Sequence, residues 1–209
     1  MRKFRYFVPI LTIIIGYLFS CAYLNPTSEE GVIEEGWSLF EQDIYTDALE
    51  KFNEAIEINP DNPEGYHGKA WCLLLLNKAD SSIVHFITAI SKGIESLDPH
   101  VGLSAAYLAN EDFPLAIERG NYVLEIDSTY YFEHKPQIDY RDIHLILSIA
   151  YFHEGQLENA QFHLNYLVPC DRIKPDDPST WVVNGVTYNS YAEALMVLID
   201  YVDEQYGGI

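Results

Sequence analysis

The fold is decided by residues 36–63, GWSLFEQDIYTDALEKFNEAIEINPDNP. Small residues such as Gly36 and Ala48 stand where two helices must approach closely, and large apolar residues such as Phe52 stand one helical turn away. The residues QDI at 42–44 interrupt the apolar pattern between the two halves, as a short helix-to-helix turn does. Pro60 then ends the second helix, because a residue before proline is pushed out of the helical region. The stretch therefore predicts one helix-turn-helix hairpin.

This hairpin recurs with a period of 34 residues, since Phe52 returns as Phe86 and Ala55 returns as Ala89. The repeating units run over 29–62, 63–96, 97–130 and, after ten extra residues, 141–174. The pattern loses regularity along the chain, because Gly120 takes the aromatic position in the third unit. Four units in register predict a stack of helical hairpins rather than a single chance match.

At this period the sequence resembles the tetratricopeptide repeat family, whose signature is a 34-residue helical hairpin with W-x2-L-G-x2-Y, A-x3-F and P. The resemblance covers roughly residues 29–174. It implies an all-α fold, a right-handed superhelical solenoid of about four hairpins. It also implies a long concave surface lined by the first helix of each hairpin.

The resemblance further places a peptide-binding groove on that concave surface. The predicted groove residues are Trp37, Phe40, His67, Trp71, Leu74, Leu108, Ile149 and Phe152. Acidic residues follow one rim of the groove, namely Glu30, Glu64, Asp98 and Asp142. Family members that clamp a terminal carboxylate use Lys, Arg and Asn at these positions, and this chain has none there. The expected ligand is instead an amphipathic helix or an extended apolar segment, held by Trp37 and Trp71.

The occupancy of this groove has two interpretations. An exposed apolar groove of this size would mark a binding site. Alternatively, the C-terminal helix of the chain or a second copy fills it. The ten-residue insertion at 128–137, STYYFEHKPQ, leaves a similar choice, because its aromatic residues either pack on the repeats or form a recognition loop.

The last segment, residues 175–209, differs from the repeats. Two β-branched and aromatic runs flank Asn184-Gly185, which is a strong signal for a β-hairpin. Asn189 or Ser190 then caps a last amphipathic helix. We expect this helix to close the open end of the stack.

The N-terminus has the features of an export signal. A basic MRKFR patch and an apolar run predict a signal peptide over residues 1–20. The residues LFSC at 18–21 resemble a bacterial lipobox, which implies lipidation of Cys21 and a tether over 21–28. The run of uncharged residues at 6–24 keeps an uncleaved membrane anchor open, and plain secretion is a third alternative. We expect the chain in the bacterial cell envelope, lipid-anchored on the periplasmic face of the outer membrane.

The charge of the chain excludes one class of partner. The formal net charge is −20, from 12 Lys and Arg against 32 Asp and Glu. Phosphate binding needs a basic surface, so a nucleic-acid partner is not expected. The acidity either keeps an apolar repeat protein soluble or attracts a basic partner.

Catalytic and metal-binding patterns are weak. No HExxH, CxxC, phosphate-loop or GxSxG motif occurs, and the ten-residue separation of His153 from His163 is not a ligand spacing. We therefore expect no enzyme activity, no cofactor and no metal site. A Cys72–Cys170 disulfide is not expected either, since the two residues lie in different units.

These patterns together favour a membrane-anchored scaffold that binds apolar or amphipathic segments of another envelope protein. Tetratricopeptide lipoproteins that assist outer-membrane protein assembly or pilus biogenesis share the architecture, which is an analogy of fold alone. The alternative is a periplasmic binding module for a small or glycan ligand, which would use the tyrosine-rich surface.

Overall fold

A computed structural model describes residues 28–206. The predicted signal peptide at 1–20, the lipidation site Cys21 and all but the last residue of the predicted tether at 21–28 lie outside the described residues. Within 28–206 the chain forms nine α-helices and one two-stranded sheet. None of the helices in this range is long and apolar enough to cross a membrane.

The first eight helices form four antiparallel hairpins, as the all-α prediction requires, and that prediction is confirmed. The helices are α1 (Glu29–Glu41), α2 (Tyr45–Ile58), α3 (Pro63–Leu75), α4 (Ala79–Ser91), α5 (Asp98–Ala109), α6 (Phe113–Ile126), α7 (Tyr140–His153) and α8 (Leu157–Leu164). Each helix packs on the next one along the chain. Each of the first three hairpins therefore buries its apolar stripe partly against its partner helix and partly against the following repeat.

The turn inside each hairpin uses the same backbone conformation. The residue at one repeating position has a positive φ, which is 63° at Asp43, 57° at Asn77, 59° at Glu111 and 71° at Gly155. Asn, Asp and Gly tolerate this left-handed conformation best, so Glu111 is the least favourable of the four. The 34-residue period thus extends from the apolar pattern to the backbone of the turns.

Successive repeats are joined by a ring packed on a glycine. A Cβ atom at Gly68 would lie 2.2 Å from the ring of Phe52, and one at Gly102 would lie 2.1 Å from the ring of Phe86. Both phenylalanines are fully buried. A glycine is needed at these two positions because the ring occupies the space of any larger side chain.

The third repeat reverses this arrangement. Gly120 takes the place of the phenylalanine, and a Cβ atom there would lie 3.0 Å from Cδ2 of Leu147 and 3.0 Å from Oγ of Ser104. Leu147 comes from the next repeat and is fully buried. The bulky group is supplied by the opposite helix, so the weak sequence match of the third unit still gives a packed interface.

The C-terminal segment adds the predicted hairpin and helix. Strands β1 (Val182–Val183) and β2 (Val186–Thr187) pair antiparallel through a turn in which Asn184 and Gly185 have φ values of 50° and 79°. Helix α9 (Tyr191–Tyr206) follows. Its first turn is capped by Ser190, whose Oγ accepts a hydrogen bond from the Glu193 N–H at 3.1 Å. Helix α9 packs against α7, α8 and β1, at the end of the stack.

Cys72 and Cys170 are both buried and free, so they do not form a disulfide. Burial raises the pKa of the Cys72 thiol to about 12 and that of the Cys170 thiol to about 11. Both residues therefore act as small apolar core groups.

Candidate binding surface

The concave surface of the first repeats is occupied by the insertion between α6 and α7. We call residues 130–138 the strap. Phe132, at the centre of the strap, is fully buried, and its ring stacks on Trp71 with centroids 4.5 Å apart and planes 18° apart. The edges of Trp37 and Phe40 also face Phe132, at centroid distances of 6.0 and 5.9 Å. The strap thus fills the groove with an aromatic side chain of its own.

The next strap residues make polar and stacking contacts with the first hairpin. The imidazole of His134 lies parallel to Trp37, with centroids 3.9 Å apart and planes 2° apart, and its Nδ1 is 2.8 Å from Glu41 Oε1. Lys135 Nζ forms an ion pair with Asp43 and donates to the Tyr45 hydroxyl at 2.8 Å. The turn of the first hairpin therefore holds the cationic end of the strap.

This ion pair shifts the pKa values of both partners. Partial burial works against the charged form of Lys135, but hydrogen bonds to Asp43 and Tyr45 outweigh it, so the pKa of Lys135 lies above its ordinary value. The hydrogen bond from Lys135 is the main reason that the pKa of Asp43 lies below its ordinary value. Both groups are accordingly charged at neutral pH.

The base of the strap is also fixed. The Tyr130 hydroxyl donates to Asp98 Oδ1 at 2.7 Å, and burial, together with the Asp98 charge, raises the pKa of Tyr130. An antiparallel bridge joins Tyr131 to Asp139, just before α7. The start of α7 is closed by a capping box in which Asp142 accepts from the Asp139 N–H at 2.8 Å.

The predicted groove residues divide into two sets. Five are buried, namely Trp37, Phe40, His67, Trp71 and Leu74. Three are half-buried, namely Leu108, Ile149 and Phe152. The structure therefore brings Trp37, Phe40, His67 and Trp71 together around one ring, Phe132, whereas Ile149 and Phe152 belong to a different apolar cluster.

A hydrogen-bonded chain orders the centre of the groove. The indole N–H of Trp71 donates to His67 Nε2 at 3.1 Å, and His67 Nδ1 lies 3.2 Å from Glu64 Oε2. An indole N–H can only donate, so Nε2 of His67 accepts and Nδ1 carries the proton. Glu64 thus orients His67, which in turn orients Trp71.

The predicted acidic rim is partly used within the chain. Asp98 accepts the Tyr130 hydroxyl, Asp142 caps α7, and Glu64 faces His67. Glu30 is exposed. An additional acidic pair, Glu41 and Asp43 in the first turn, meets the strap instead.

The C-terminal helix covers the concave surface of the fourth repeat. Ile149 and Phe152 of α7 pack against a buried cluster that includes Leu195 and Ile199 of α9. The expectation that a segment of the chain fills the groove therefore has two parts. The strap occupies the first repeats, and α9 occupies the fourth.

Sequence reasoning missed the strap as the occupant of the groove. The sequence does contain features of a groove-binding segment, because the insertion carries several aromatic residues and one of the few cations of the chain, Lys135. The 34-residue period gave no information on where the insertion folds, since the insertion lies outside the repeat.

A second concavity lies on the outer side, between α6, α7 and α8. We call this cavity of about 510 Å³ the outer cleft. Its lining includes Asn121, Tyr140, His144, Phe162, His163 and Tyr166. His144 and His163 approach each other with 2.9 Å between their Nδ1 atoms, and Tyr166 stacks on His144 at 3.9 Å. Burial lowers the pKa of each histidine to about 4.

The histidines singled out in the sequence do not form a site. His153 is exposed and stacks on Phe113 at a centroid distance of 4.5 Å, while His163 is buried beside His144. Within residues 28–206 no group of three or more His, Cys, Asp or Glu side chains is placed to hold a metal ion.

Comparisons with known proteins agree with this architecture. A tetratricopeptide repeat family model matches residues 51–83. Among solved structures, the chain is similar to YrrB, described as a tetratricopeptide protein with an unusual peptide-binding site, at 15% identity and a TM-score of 0.60, covering 95% of each chain.

Two further structures share the fold. One is PilW, described as a widely conserved type IV pilus biogenesis factor, at 19% identity and a TM-score of 0.58, covering 93% of this chain and 82% of PilW. The other is a thermophilic tetratricopeptide protein of Thermus thermophilus, at 17% identity and a TM-score of 0.53, covering 87% of this chain and 93% of that one. A search of curated proteins gives no match. The match over residues 51–83 identifies one tetratricopeptide repeat, and the three structures share the fold of stacked helical hairpins.

Proposed function

We propose that this protein is a lipid-anchored interaction module of the bacterial cell envelope, which binds a segment of another envelope protein on its concave groove. The main observation in favour of a binding role is that the groove already holds a non-helical segment, the strap. Trp37, Phe40 and Trp71 surround the ring of Phe132, and the first turn pairs with Lys135. A surface of buried aromatic residues with charged groups at its edge is typical of peptide recognition.

The envelope location is supported by the sequence. The basic patch, apolar run and Cys21 at the N-terminus have the order of a lipoprotein signal. The domain that follows carries a strong negative charge, which suits recognition of a basic segment. The tether at 21–28 would hold the repeats close to the membrane surface.

Fractionation tests the anchor. The Cys21→Ser chain should leave the membrane fraction, and the wild-type chain should incorporate a palmitate analogue. Tight membrane association of Cys21→Ser, without label in the wild type, would point to an uncleaved helix at 6–24 instead.

Site-specific crosslinking in cells tests the binding role. A photoreactive residue at Leu108, half-buried in a predicted groove position, should capture one discrete envelope protein. The same residue at Val84, which is 59% exposed on α4, serves as the control. The binding role fails if Leu108 captures nothing, or if both positions give the same product.

The outer cleft supports a second candidate function, the binding of a small or glycan ligand. Exposed faces of Phe162 and Tyr166 lie beside polar groups of Asn121 and His144, a combination of flat rings and hydrogen-bonding groups that suits a sugar ring. Oligosaccharide titration followed by NMR should then perturb residues of the cleft, and Phe162→Ala should abolish the effect. Unchanged spectra at millimolar ligand would exclude this function.

A further inference from the structure

The strap is a self-contained loop. Its backbone hydrogen bonds join its own residues, from Phe132 N–H to the Ile138 carbonyl at 2.9 Å and from Ile138 N–H to the Lys135 carbonyl at 2.8 Å. The Tyr140 N–H closes the base by donating to the Tyr130 carbonyl at 2.8 Å. The contacts that hold the tip in the groove are made by side chains. The tip can therefore leave the groove as a unit while its own backbone hydrogen bonds stay formed.

The side chains of the tip have a definite order. Phe132 fills the pocket over Trp71, the ring of His134 covers Trp37 two residues later, and Lys135 follows directly and meets Asp43. The outward-facing residue between them, Glu133, is exposed. The groove thus binds an aromatic ring, then, after one residue that points away from it, a second flat ring and a cation.

We propose that the strap is an internal ligand, and that the groove recognises a partner segment with the same order of side chains, an aromatic ring, any residue, a flat ring and a lysine or arginine. This inference rests on the interaction function proposed above and names the chemistry of its partner. A partner segment displaces the strap, so the stability of the bound strap lowers the apparent affinity for the partner.

Competition of this kind follows from linkage. A ligand that binds only the strap-released state has its affinity reduced by the fraction of molecules in that state. The contacts of Lys135 with Asp43 and of His134 with Glu41 lie at an exposed edge, where the Asp43 side chain is 65% and the Glu41 side chain is 52% accessible. Each of these polar contacts therefore contributes little to holding the strap in the groove. A net charge of −20 also favours the approach of a cationic segment.

Fluorescence anisotropy with the full chain in detergent tests the proposal. The probe is a fluorescein-labelled peptide of strap sequence, TYYFEHKPQI (residues 129–138). Lys135→Glu places a like charge beside Asp43 and weakens the strap without touching the buried ring. The dissociation constant of the peptide should fall by about two- to fivefold in this variant.

Two controls assign the effect to the groove. Asp43→Lys added to Lys135→Glu restores an ion pair for the strap and rejects the lysine of the peptide, so the affinity should return to the wild-type value or below. Tyr131→Ala, at a strap residue that is 62% exposed, should leave the affinity unchanged. A peptide with glutamate in place of its lysine should bind more weakly to the Lys135→Glu chain.

The proposal is overturned if Lys135→Glu, with an unchanged far-UV spectrum, binds the peptide no more tightly than the wild type. Equal binding of a scrambled peptide overturns it as well. His134→Ala, which removes the stack on Trp37, provides a second weakened strap and should give the same increase. A further outcome is that the photoreactive residue at Leu108 captures an envelope protein in cells while neither strap variant binds the peptide more tightly. In that case the interaction function stands and the partner chemistry proposed here is wrong.

Discussion

Phe132 stacks on Trp71 with ring centroids 4.5 Å apart, so a residue of the insertion completes the core of the second repeat. Trp71 also meets Phe86 edge-on at 5.4 Å, and Phe86 packs on Gly102 of the third repeat. The strap is therefore connected through one aromatic chain to the interface between the second and third repeats. Loosening the strap should therefore also destabilise the interface between the second and third repeats.

Phe132→Ala should destabilise the fold and expose tryptophan. Removing a buried phenylalanine costs about 3–5 kcal/mol when the cavity does not collapse. We expect a loss at the lower end, about 3 kcal/mol, because the exposed edge of the strap can relax. A red shift of tryptophan emission should accompany it as Trp71 and Trp37 meet water. Urea denaturation followed by fluorescence measures both effects.

The control for this prediction is Tyr131→Ala, the neighbouring strap residue, which is 62% exposed. Its free energy of unfolding should stay within about 0.5 kcal/mol of the wild type. Equal losses for the two variants would show that the strap contributes through its backbone and not through the buried ring.

Gly102→Ala should destabilise the protein, whereas Gly120→Ala should not. Alanine stabilises a helix interior relative to glycine by about 1 kcal/mol. At Gly102 the new Cβ atom would lie 2.1 Å from the Phe86 ring, so overpacking should outweigh this gain and leave a net loss of about 1–2 kcal/mol. At Gly120 the nearest atoms, of Leu147 and Ser104, would lie 3.0 Å from the new Cβ atom, so a movement of a few tenths of an ångström is enough and overpacking should not exceed the gain.

Thermal unfolding of the two glycine variants under identical conditions decides this prediction. A lower midpoint for Gly102→Ala and an unchanged or higher midpoint for Gly120→Ala are expected. A loss of similar size at both positions would mean that the third interface is packed as tightly as the second.

The stability of the protein should fall as the pH drops from 6.5 to 4. Burial lowers the pKa of His144 and of His163 from the ordinary 6.5 to about 4. Between these values the unfolded chain binds more protons than the folded one, so acid favours unfolding, and above pH 6.5 the effect vanishes. Each histidine should contribute about 1 kcal/mol per pH unit in this window.

Urea unfolding at pH 7, 6, 5 and 4.5 measures this dependence. His163→Gln should reduce the slope, whereas His153→Gln, at an exposed residue outside the pair, should leave it unchanged. Identical slopes in all three proteins would show that the carboxyl groups alone cause the acid sensitivity.

Thiol labelling should report the buried cysteines and the predicted anchor together. The chain has three cysteines, of which Cys72 and Cys170 are buried and have pKa values raised to about 12 and about 11. Neither should react with an aromatic disulfide reagent at pH 8 until the protein is denatured. If Cys21 is lipidated on its sulfur, membrane-extracted protein should show no native thiol and two after denaturation.

A third thiol in the membrane-extracted protein, reactive in the native state, would contradict lipidation of Cys21. The Cys21→Ser variant gives the reference value of two thiols after denaturation. A rapid native reaction in that variant would show instead that Cys72 or Cys170 is more accessible than its burial indicates.

The repeats could be predicted because their determinants are local. The small and aromatic positions of one hairpin recur at a fixed spacing, and the turn residue Asp43 recurs as Asn77 and Glu111 with the same positive φ. The β-hairpin was readable for the same reason, since Asn184-Gly185 specifies the turn without help from the rest of the chain. Residues within one hairpin carry all the information in these cases.

The candidate site depended on contacts that no local pattern encodes. The residues around the groove were predicted from the repeat positions, and Trp37, Phe40, His67 and Trp71 do come together. The segment that fills the groove could not be predicted, because the insertion lies outside the repeat and no equivalent positions in other repeats indicate where it folds. Whether it packed on the edge, pointed outward or entered the groove depended on long-range complementarity.

The sequence by itself thus determined the number, the register and the turns of the hairpins, because the apolar periodicity and the turn residues act over a few residues. The tertiary structure alone decided that Phe132 lies on Trp71, that Lys135 meets Asp43, and that α9 covers the fourth repeat. These contacts join segments far apart in the chain, and they form because the stacked hairpins first create a concave apolar surface that some segment must cover.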